Sequence, residues 1–157
     1  MKNLGLFCLV LACIGLQSCN KNQKDADAPV LAEKPVSVQC YKALYEKDTI
    51  DLKINTLKDG KISGDMQMKF LDMPIKVGKI AGEFRGDTLF ADYTFNQGTN
   101  DKVTFKNPIA LLKRGEELIL GNGKIETYLG ASYFAKGKPI DFENVKFKFT
   151  TVDCVEK

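Results

Sequence analysis

The stretch IDLKINTLKDGKISGDMQMKF, residues 50–70, decides the fold class of this chain. Apolar and polar residues alternate through residues 50–54, and the alternation resumes through residues 62–70. Because successive side chains of a β-strand point to opposite faces, each part is typical of a strand with one buried face and one face in water. Asp59 and Gly60, between the two parts, predict a two-residue hairpin turn. The stretch therefore predicts an antiparallel sheet.

The same two-residue period continues along the rest of the chain, and we find no convincing helix pattern. Leu89, Ala91, Tyr93 and Phe95 share one face of a further run, and glycine-containing turns separate the runs. Many short strands with turns every 8 to 12 residues or so predict an all-β barrel or sandwich. The predicted strands span residues 36–46, 49–57, 61–70, 76–84, 88–96, 102–113, 117–121, 124–134 and 142–154.

Two cysteines, Cys40 and Cys154, lie near the two ends of this strand-rich region. An even pair of cysteines in an oxidising compartment predicts a disulfide. Such a bond would hold the first and last strands side by side, which closes the sheet and removes its edges. We therefore predict an antiparallel meander β-barrel of about eight to nine strands over residues 36–157. A β-sandwich is the alternative.

The first residues have the pattern of a secretory signal. A basic start at Lys2 precedes a nearly continuous apolar run over residues 4–16, which is shorter than the roughly 20 residues that a membrane-spanning helix needs. Leu16-Gln17-Ser18-Cys19 resembles the lipobox of bacterial lipoproteins. The resemblance implies cleavage after residue 18 and acylation of Cys19, so that acyl chains anchor the protein to a membrane. An ordinary cleavable signal with an incidental cysteine is the alternative.

Residues 19–35 are polar and predict a disordered tether between the anchor and the barrel. Asn20 stands where, by resemblance, an Asp would retain a lipoprotein in the inner membrane. We therefore expect a lipid-anchored protein of the outer membrane, on its periplasmic or cell-surface side.

Composition argues against several functions. The net charge is only +3 and the lysines are scattered, so we expect no nucleic-acid partner. The chain has no His, the usual general base and the commonest metal ligand. Asp51, Asp65 and Asp92 fall on predicted wet faces, where charged side chains are normally solvated. We therefore expect no metal, no cofactor and no enzymatic activity, and an enzyme is the least favoured alternative.

Aromatic and methionine side chains on the predicted inner faces suggest a binding role. A small barrel is filled by its own side chains or holds one small ligand, and methionines offer deformable apolar surface. We expect a small apolar or amphipathic ligand inside the barrel, or an envelope partner at its loops. The alternative is a structural or assembly lipoprotein with a solid core. The candidate ligand-binding residues are Met66, Met68, Phe70, Tyr93, Phe95, Phe147 and Phe149.

Three segments resemble a group of small Bacteroidota lipoproteins of unknown function: Cys40-Tyr41, GDTLFADYTF at residues 86–95, and Val152-Asp153-Cys154. That resemblance spans the folded region and implies no activity and no site residues. The expected architecture is also similar to that of lipocalins, although the chain has no Trp and therefore lacks the Gly-x-Trp signature of that family.

Overall fold

The computed structural model describes residues 34–155. The predicted signal peptide, Cys19 and the predicted tether as far as residue 33 lie outside the described residues. No helix occurs in the described range, and hence none there that is long and apolar enough to cross a membrane.

Twelve β-strands make up the regular structure of residues 34–155. Eight of them, β1 to β7 and β12, form one closed barrel, and the other four form two small two-stranded sheets. The predicted antiparallel barrel is confirmed, and the alternative β-sandwich is wrong. The strands are β1 Ser37–Tyr45, β2 Asp48–Thr56, β3 Lys61–Lys69, β4 Lys76–Arg85, β5 Thr88–Gln97, β6 Asn100–Arg114, β7 Glu117–Leu120, β8 Asn122–Gly123, β9 Ile125–Tyr128, β10 Ala131–Phe134, β11 Ile140–Asp141 and β12 Lys148–Val152.

Each barrel strand pairs with the next barrel strand along the chain, as expected for a meander, and the strands between β7 and β12 lie outside this order. The barrel closes where β1 pairs with β12, with Cys40 opposite Val152 and Ala43 opposite Phe149. The disulfide between Cys40 and Cys154 lies beside this seam, with 5.2 Å between the two Cα atoms. The predicted disulfide and the predicted adjacency of the first and last strands are both confirmed.

The predicted strand over residues 124–134 is wrong as a single strand. It is the hairpin of β9 and β10, which turns at Leu129 and Gly130, and both turn residues have positive φ. This hairpin belongs to the segment 121–147, called the insert below, which joins β7 to β12. The last strand is also shorter than predicted, because only Lys148–Val152 of the predicted residues 142–154 is β12.

The turn between β2 and β3 is longer than the predicted two residues. The Leu57 N–H donates to the Lys61 carbonyl at 2.9 Å, and the Gly60 N–H donates to the Leu57 carbonyl at 3.0 Å. Lys58, Asp59 and Gly60 therefore form a three-residue loop, in which Gly60 takes the left-handed conformation at φ 81°. A left-handed residue in that position is the usual end of such loops.

The two ends of the barrel differ. The closed end is the end at which the chain enters β1 and at which the disulfide is located. Short turns at this end join β2 to β3, β4 to β5 and β6 to β7. The open end carries the loop over residues 70–75 and the insert. The largest fully buried side chains pack inside the barrel as one core; they include Ile50, Leu89, Leu111, Leu118 and Phe149.

Candidate functional site

A cavity of about 270 Å³ lies in the open half of the barrel, above the packed core. We call it the open-end cavity. Its volume is slightly below the range of about 300 to 1,000 Å³ usual for ligand pockets. Apolar side chains dominate its wall, and it is lined by Met68, Phe70, Lys76, Tyr93, Phe95, Asn107, Pro108, Ile109, Leu120, Gly121, Asn122, Gly123, Ile125 and Phe134.

Unequal strand lengths create the space for this cavity. β6 has 15 residues, whereas β7 has four and pairs with β6 only over Leu111–Arg114. The ladder between β7 and β12 is equally short, with Lys148 and Phe149 as its register partners. In the open half, the wall next to β6 is therefore supplied by the insert, whose Ile125 and Phe134 line the cavity.

Four of the seven predicted ligand-binding residues line the open-end cavity: Met68, Phe70, Tyr93 and Phe95. Met66 and Phe149 do not line it; both are fully buried in the hydrophobic core, to which Tyr93 and Phe95 also belong. Phe147 precedes β12 and stacks on Phe70, with 5.7 Å between the ring centroids. The predicted inner face is therefore right for the strand residues of this set, and their role in ligand binding stays a prediction.

Aromatic rings form a continuous surface along one side of the cavity. Tyr93 and Phe95 stack at 4.6 Å between centroids, and Phe95 stacks on Phe105 at 5.5 Å. Across the cavity, the Phe70–Phe147 stack extends to Tyr45 through an edge contact at 6.0 Å. Such arrangements stabilise the rings beyond their burial alone. Phe105, Phe147 and Tyr45 do not line the cavity themselves and support the lining rings Phe70 and Phe95 from behind.

Lys76 is the only charged residue among those that line the cavity. Its ammonium lies 5.6 Å from the ring centroid of Phe70 and 5.5 Å from that of Phe95, within cation–π range of both. Lys76 is the first residue of β4 and pairs with the inward Met68, so its side chain starts on the inner face at the open end. The sequence analysis did not select Lys76, although the alternation Lys76, Gly78, Ile80 would have placed it on that face.

Asn107 is the second polar residue of interest that sequence reasoning missed. It lies opposite Tyr93 on β6 and is half-buried in the wall of the cavity. Its side-chain amide makes no hydrogen bond to another residue in the range 34–155. A ligand or a water molecule in the cavity is the natural partner for such a group.

Tyr93 marks the floor of the cavity. Its hydroxyl donates a hydrogen bond to the Met66 carbonyl at 3.1 Å, and only 1% of the residue is exposed. Burial raises the pKa of the Tyr93 phenol above its ordinary value. The group is therefore neutral and already hydrogen-bonded, which is what a structural floor requires.

The aspartates considered in the sequence lie on the outer face and pair with lysines. Asp51 binds Lys42 at 2.9 Å, Asp92 binds Lys106 at 2.9 Å, and Asp65 pairs with Lys79. Within residues 34–155, no group of three or more His, Cys, Asp or Glu side chains is arranged to hold a metal ion.

A larger groove of about 750 Å³ crosses the outer faces of β3 to β6 and reaches Tyr133 and Phe134 of β10. Charged residues border it, and two of them, Glu83 and Arg85, pair with each other at 2.8 Å. Because this groove lies on the outside of the barrel and its charges are already neutralised, the open-end cavity is the better candidate site.

Comparison of the chain with protein-family models, with curated proteins and with solved structures gave no match. The resemblance to small Bacteroidota lipoproteins remains a prediction from the sequence. What the described residues define is a class of architecture: a disulfide-closed, eight-stranded antiparallel barrel with a buried hydrophobic core and an apolar cavity at its open end.

Proposed function

We propose that this protein is a non-enzymatic, lipid-anchored lipoprotein of the outer membrane that binds a small apolar or amphipathic ligand in the open-end cavity. One observation carries the ligand-binding part: an aromatic-lined cavity of about 270 Å³ that borders the buried hydrophobic core of the barrel. Concave, mostly apolar sites with a few polar groups are the usual form of small-molecule sites.

The composition of the wall favours binding over catalysis. The lining residues include no Asp, Glu, Ser, Thr, Cys or His, the groups that most often act as nucleophile or general base. Lys76 and Asn107 offer a charge and a hydrogen bond, which serve recognition. We therefore propose no chemical step in the cavity.

The chain enters the barrel at the end opposite the cavity. This position supports a carrier whose cavity points away from its membrane anchor. The chain reaches β1 at the closed end, where the Val36 N–H donates to the Thr56 carbonyl at 2.8 Å. A tether from an acylated Cys19 would join the barrel at that end. The open end, with its cavity, would then face the surrounding medium or a partner.

The loop that borders the cavity suits the entry of an amphipathic molecule. Phe70 and Lys76 both line the cavity and stand on either side of residues 71–75. That loop exposes the apolar side chains of Leu71, Met73 and Ile75. Apolar groups at the mouth offer a first contact for the apolar body of a ligand.

Native mass spectrometry tests the ligand. Every strand and the disulfide lie within one compact unit, Glu33–Lys157, so this unit is a self-contained fold and is the sample of choice. We expect a discrete small mass to be retained after mixing with envelope extract and to be lost on denaturation. Its identity would name the ligand.

A pair of tryptophan variants controls the experiment, because the chain has no Trp of its own. Met68→Trp adds bulk in the cavity and should abolish retention of the small mass. Gln67→Trp places the same residue on the neighbouring, outward-facing position of β3 and should leave retention unchanged. Absence of any retained mass in the unsubstituted protein would favour the structural lipoprotein with an envelope partner instead.

Anchoring has its own test. The full chain, expressed in a bacterial host with labelled palmitate, should incorporate the label, and Cys19→Ala should not. Incorporation in neither protein would contradict lipidation at Cys19. It would leave the ligand-binding proposal untouched, because that proposal rests on the barrel alone.

A further inference from the structure

The charge balance of the open-end cavity points to the chemical class of its ligand. We propose that the cavity binds an anionic amphiphile, a small organic acid with an apolar body, and that the Lys76 ammonium pairs with its carboxylate. This inference rests on the proposed ligand-binding function and makes it more specific.

The positive charge of Lys76 has no counterion among residues 34–155. No salt bridge of the described residues includes Lys76, and no acidic residue lines the cavity. Other lysines on the barrel strands, such as Lys42, Lys79 and Lys106, pair with aspartates on the outer face. Lysines such as Lys53 and Lys113 also have no salt bridge, but among the described lysines only Lys76 lines the cavity. A bound ligand would therefore supply its negative charge there.

Aromatic rings hold the Lys76 ammonium in place. Its ammonium lies between the rings of Phe70 and Phe95, at 5.6 and 5.5 Å from their centroids. Two aromatic faces attract the cation and restrict its motion. A positioned charge loses less conformational entropy on binding than a freely moving one, and a partly desolvated charge binds a carboxylate more strongly than an exposed one does.

The polar and apolar side chains of the cavity differ in their distance from its mouth. Lys76 begins β4 at the mouth, while Tyr93 and Ile109 lie deeper, and Tyr93 has its hydroxyl bonded to the Met66 carbonyl. An amphiphile would therefore place its apolar body against the aromatic wall and its carboxylate at the mouth beside Lys76. The side-chain amide of Asn107 in the wall would serve a second polar atom of the ligand.

The opposite head groups fit less well. A cationic amphiphile would bring a second positive charge against Lys76, which is unfavourable. A neutral alcohol would gain the apolar contacts and forgo the ion pair. For the same apolar body, the binding affinity should therefore be highest for the acid, lower for the alcohol and lowest for the amine.

Isothermal titration calorimetry on the unit Glu33–Lys157 tests this order with decanoate, 1-decanol and decylamine below their aggregation concentrations. A hydrogen bond to a charged group is worth enough to favour decanoate over decanol by about tenfold to a hundredfold. Shorter acids should bind more weakly, by roughly fourfold for each methylene removed, because apolar burial falls.

Lys76→Met is the decisive variant, since it keeps an unbranched apolar stem and removes the charge. It should lower the preference for decanoate over decanol to within about twofold while decanol binding persists, which shows that the cavity is intact. Lys146→Met is the matched control: Lys146 also covers an aromatic ring, Tyr45 at 5.1 Å, but does not line the cavity. The Lys146→Met variant should prefer decanoate over decanol by the same factor as the unsubstituted protein does.

The outcomes separate the two proposals. Binding of decanol and decanoate with equal affinity would overturn the anionic preference and keep the cavity as an apolar site. An unchanged acid preference in Lys76→Met would overturn the role of Lys76. No binding of any of the three probes would count against the proposed ligand-binding function itself.

Discussion

The disulfide that closes the barrel should contribute a large part of its stability. Cys40 and Cys154 are 114 residues apart, so the bond closes almost the whole domain into one loop. In the chain-entropy description, a loop of that length raises the free energy of unfolding by about 4.8 kcal/mol. Residual structure in the unfolded chain lowers this contribution, and we expect about 2.5 to 4.8 kcal/mol.

The expected change in melting temperature follows from the size of the domain. With roughly 120 residues and about 2.1 cal/mol/K of melting entropy per residue, the domain should melt about 10 to 19 °C lower without the bond. The perturbation is the double variant Cys40→Ser, Cys154→Ser. Cys40 lies on the outer face of β1 and Cys154 follows β12 in an exposed position, so serine leaves no hole in the core.

Thermal unfolding followed by circular dichroism measures the effect on the unit Glu33–Lys157. A reducing agent should lower the melting temperature of the oxidised protein to that of the double variant and should leave the double variant unchanged. A difference below about 4 °C, equivalent to roughly 1 kcal/mol, would refute the reasoning. It would mean that hydrogen bonding between β1 and β12 closes the barrel equally well without the bond.

Two further changes test the core and the inner face. Because burial raises the folded-state pKa of Tyr93 above the ordinary value of 10.0, the unfolded state loses its proton first as the pH rises. The free energy of unfolding should therefore be constant below about pH 10 and fall above it. Tyr93→Phe should weaken that fall and lower the free energy of unfolding by about 1 kcal/mol at neutral pH. Urea titrations at several pH values measure both effects. Gly78→Ala should destabilise the protein by about 1 to 3 kcal/mol, because the added methyl would overlap the Thr94 carbonyl oxygen. Ala81→Ser, on the outer face of the same strand, is the control in the same titration. Equal stability of the two variants would contradict this account.

The strand faces were predictable because they depend only on local alternation. Ile50 and Leu52 are buried, Asp51 and Lys53 face outward, and the same alternation holds in β3 and β5. The cysteine pair supplied the one long-range fact, namely that the first and last strands are neighbours. Together these signals are sufficient for a closed antiparallel barrel.

The insert was not predictable by the same reasoning. Residues 124–134 alternate as a strand does, and local alternation is the same whether a strand pairs within the barrel or with its own neighbour. Gly130, with φ 81°, is the residue that breaks the run into β9 and β10. A glycine within a strand pattern also marks bulges and close backbone approaches, so it does not by itself indicate a hairpin.

The cavity escaped prediction for a related reason. Aromatic and methionine residues were chosen by their hydrophobicity, which does not show whether a buried residue such as Phe95 borders the cavity or, like Phe149, does not. The space arises from the shortness of β7 and β12 beside the long β6, a property of pairing between distant strands. Lys76 was not selected, because a polar residue in an alternating run normally faces water.

Closure at one end gives a physical reason for the cavity at the other. A cavity in a protein interior forgoes apolar contacts and therefore lowers stability. In this barrel the closed half has a continuous core and the disulfide beside its seam. Those interactions offset the incomplete wall of the open half, where the insert replaces regular strand pairing. Binding regions tend to lie in such locally less stable parts of a fold, so a ligand that fills the open-end cavity should raise the stability of the open half more than that of the closed half.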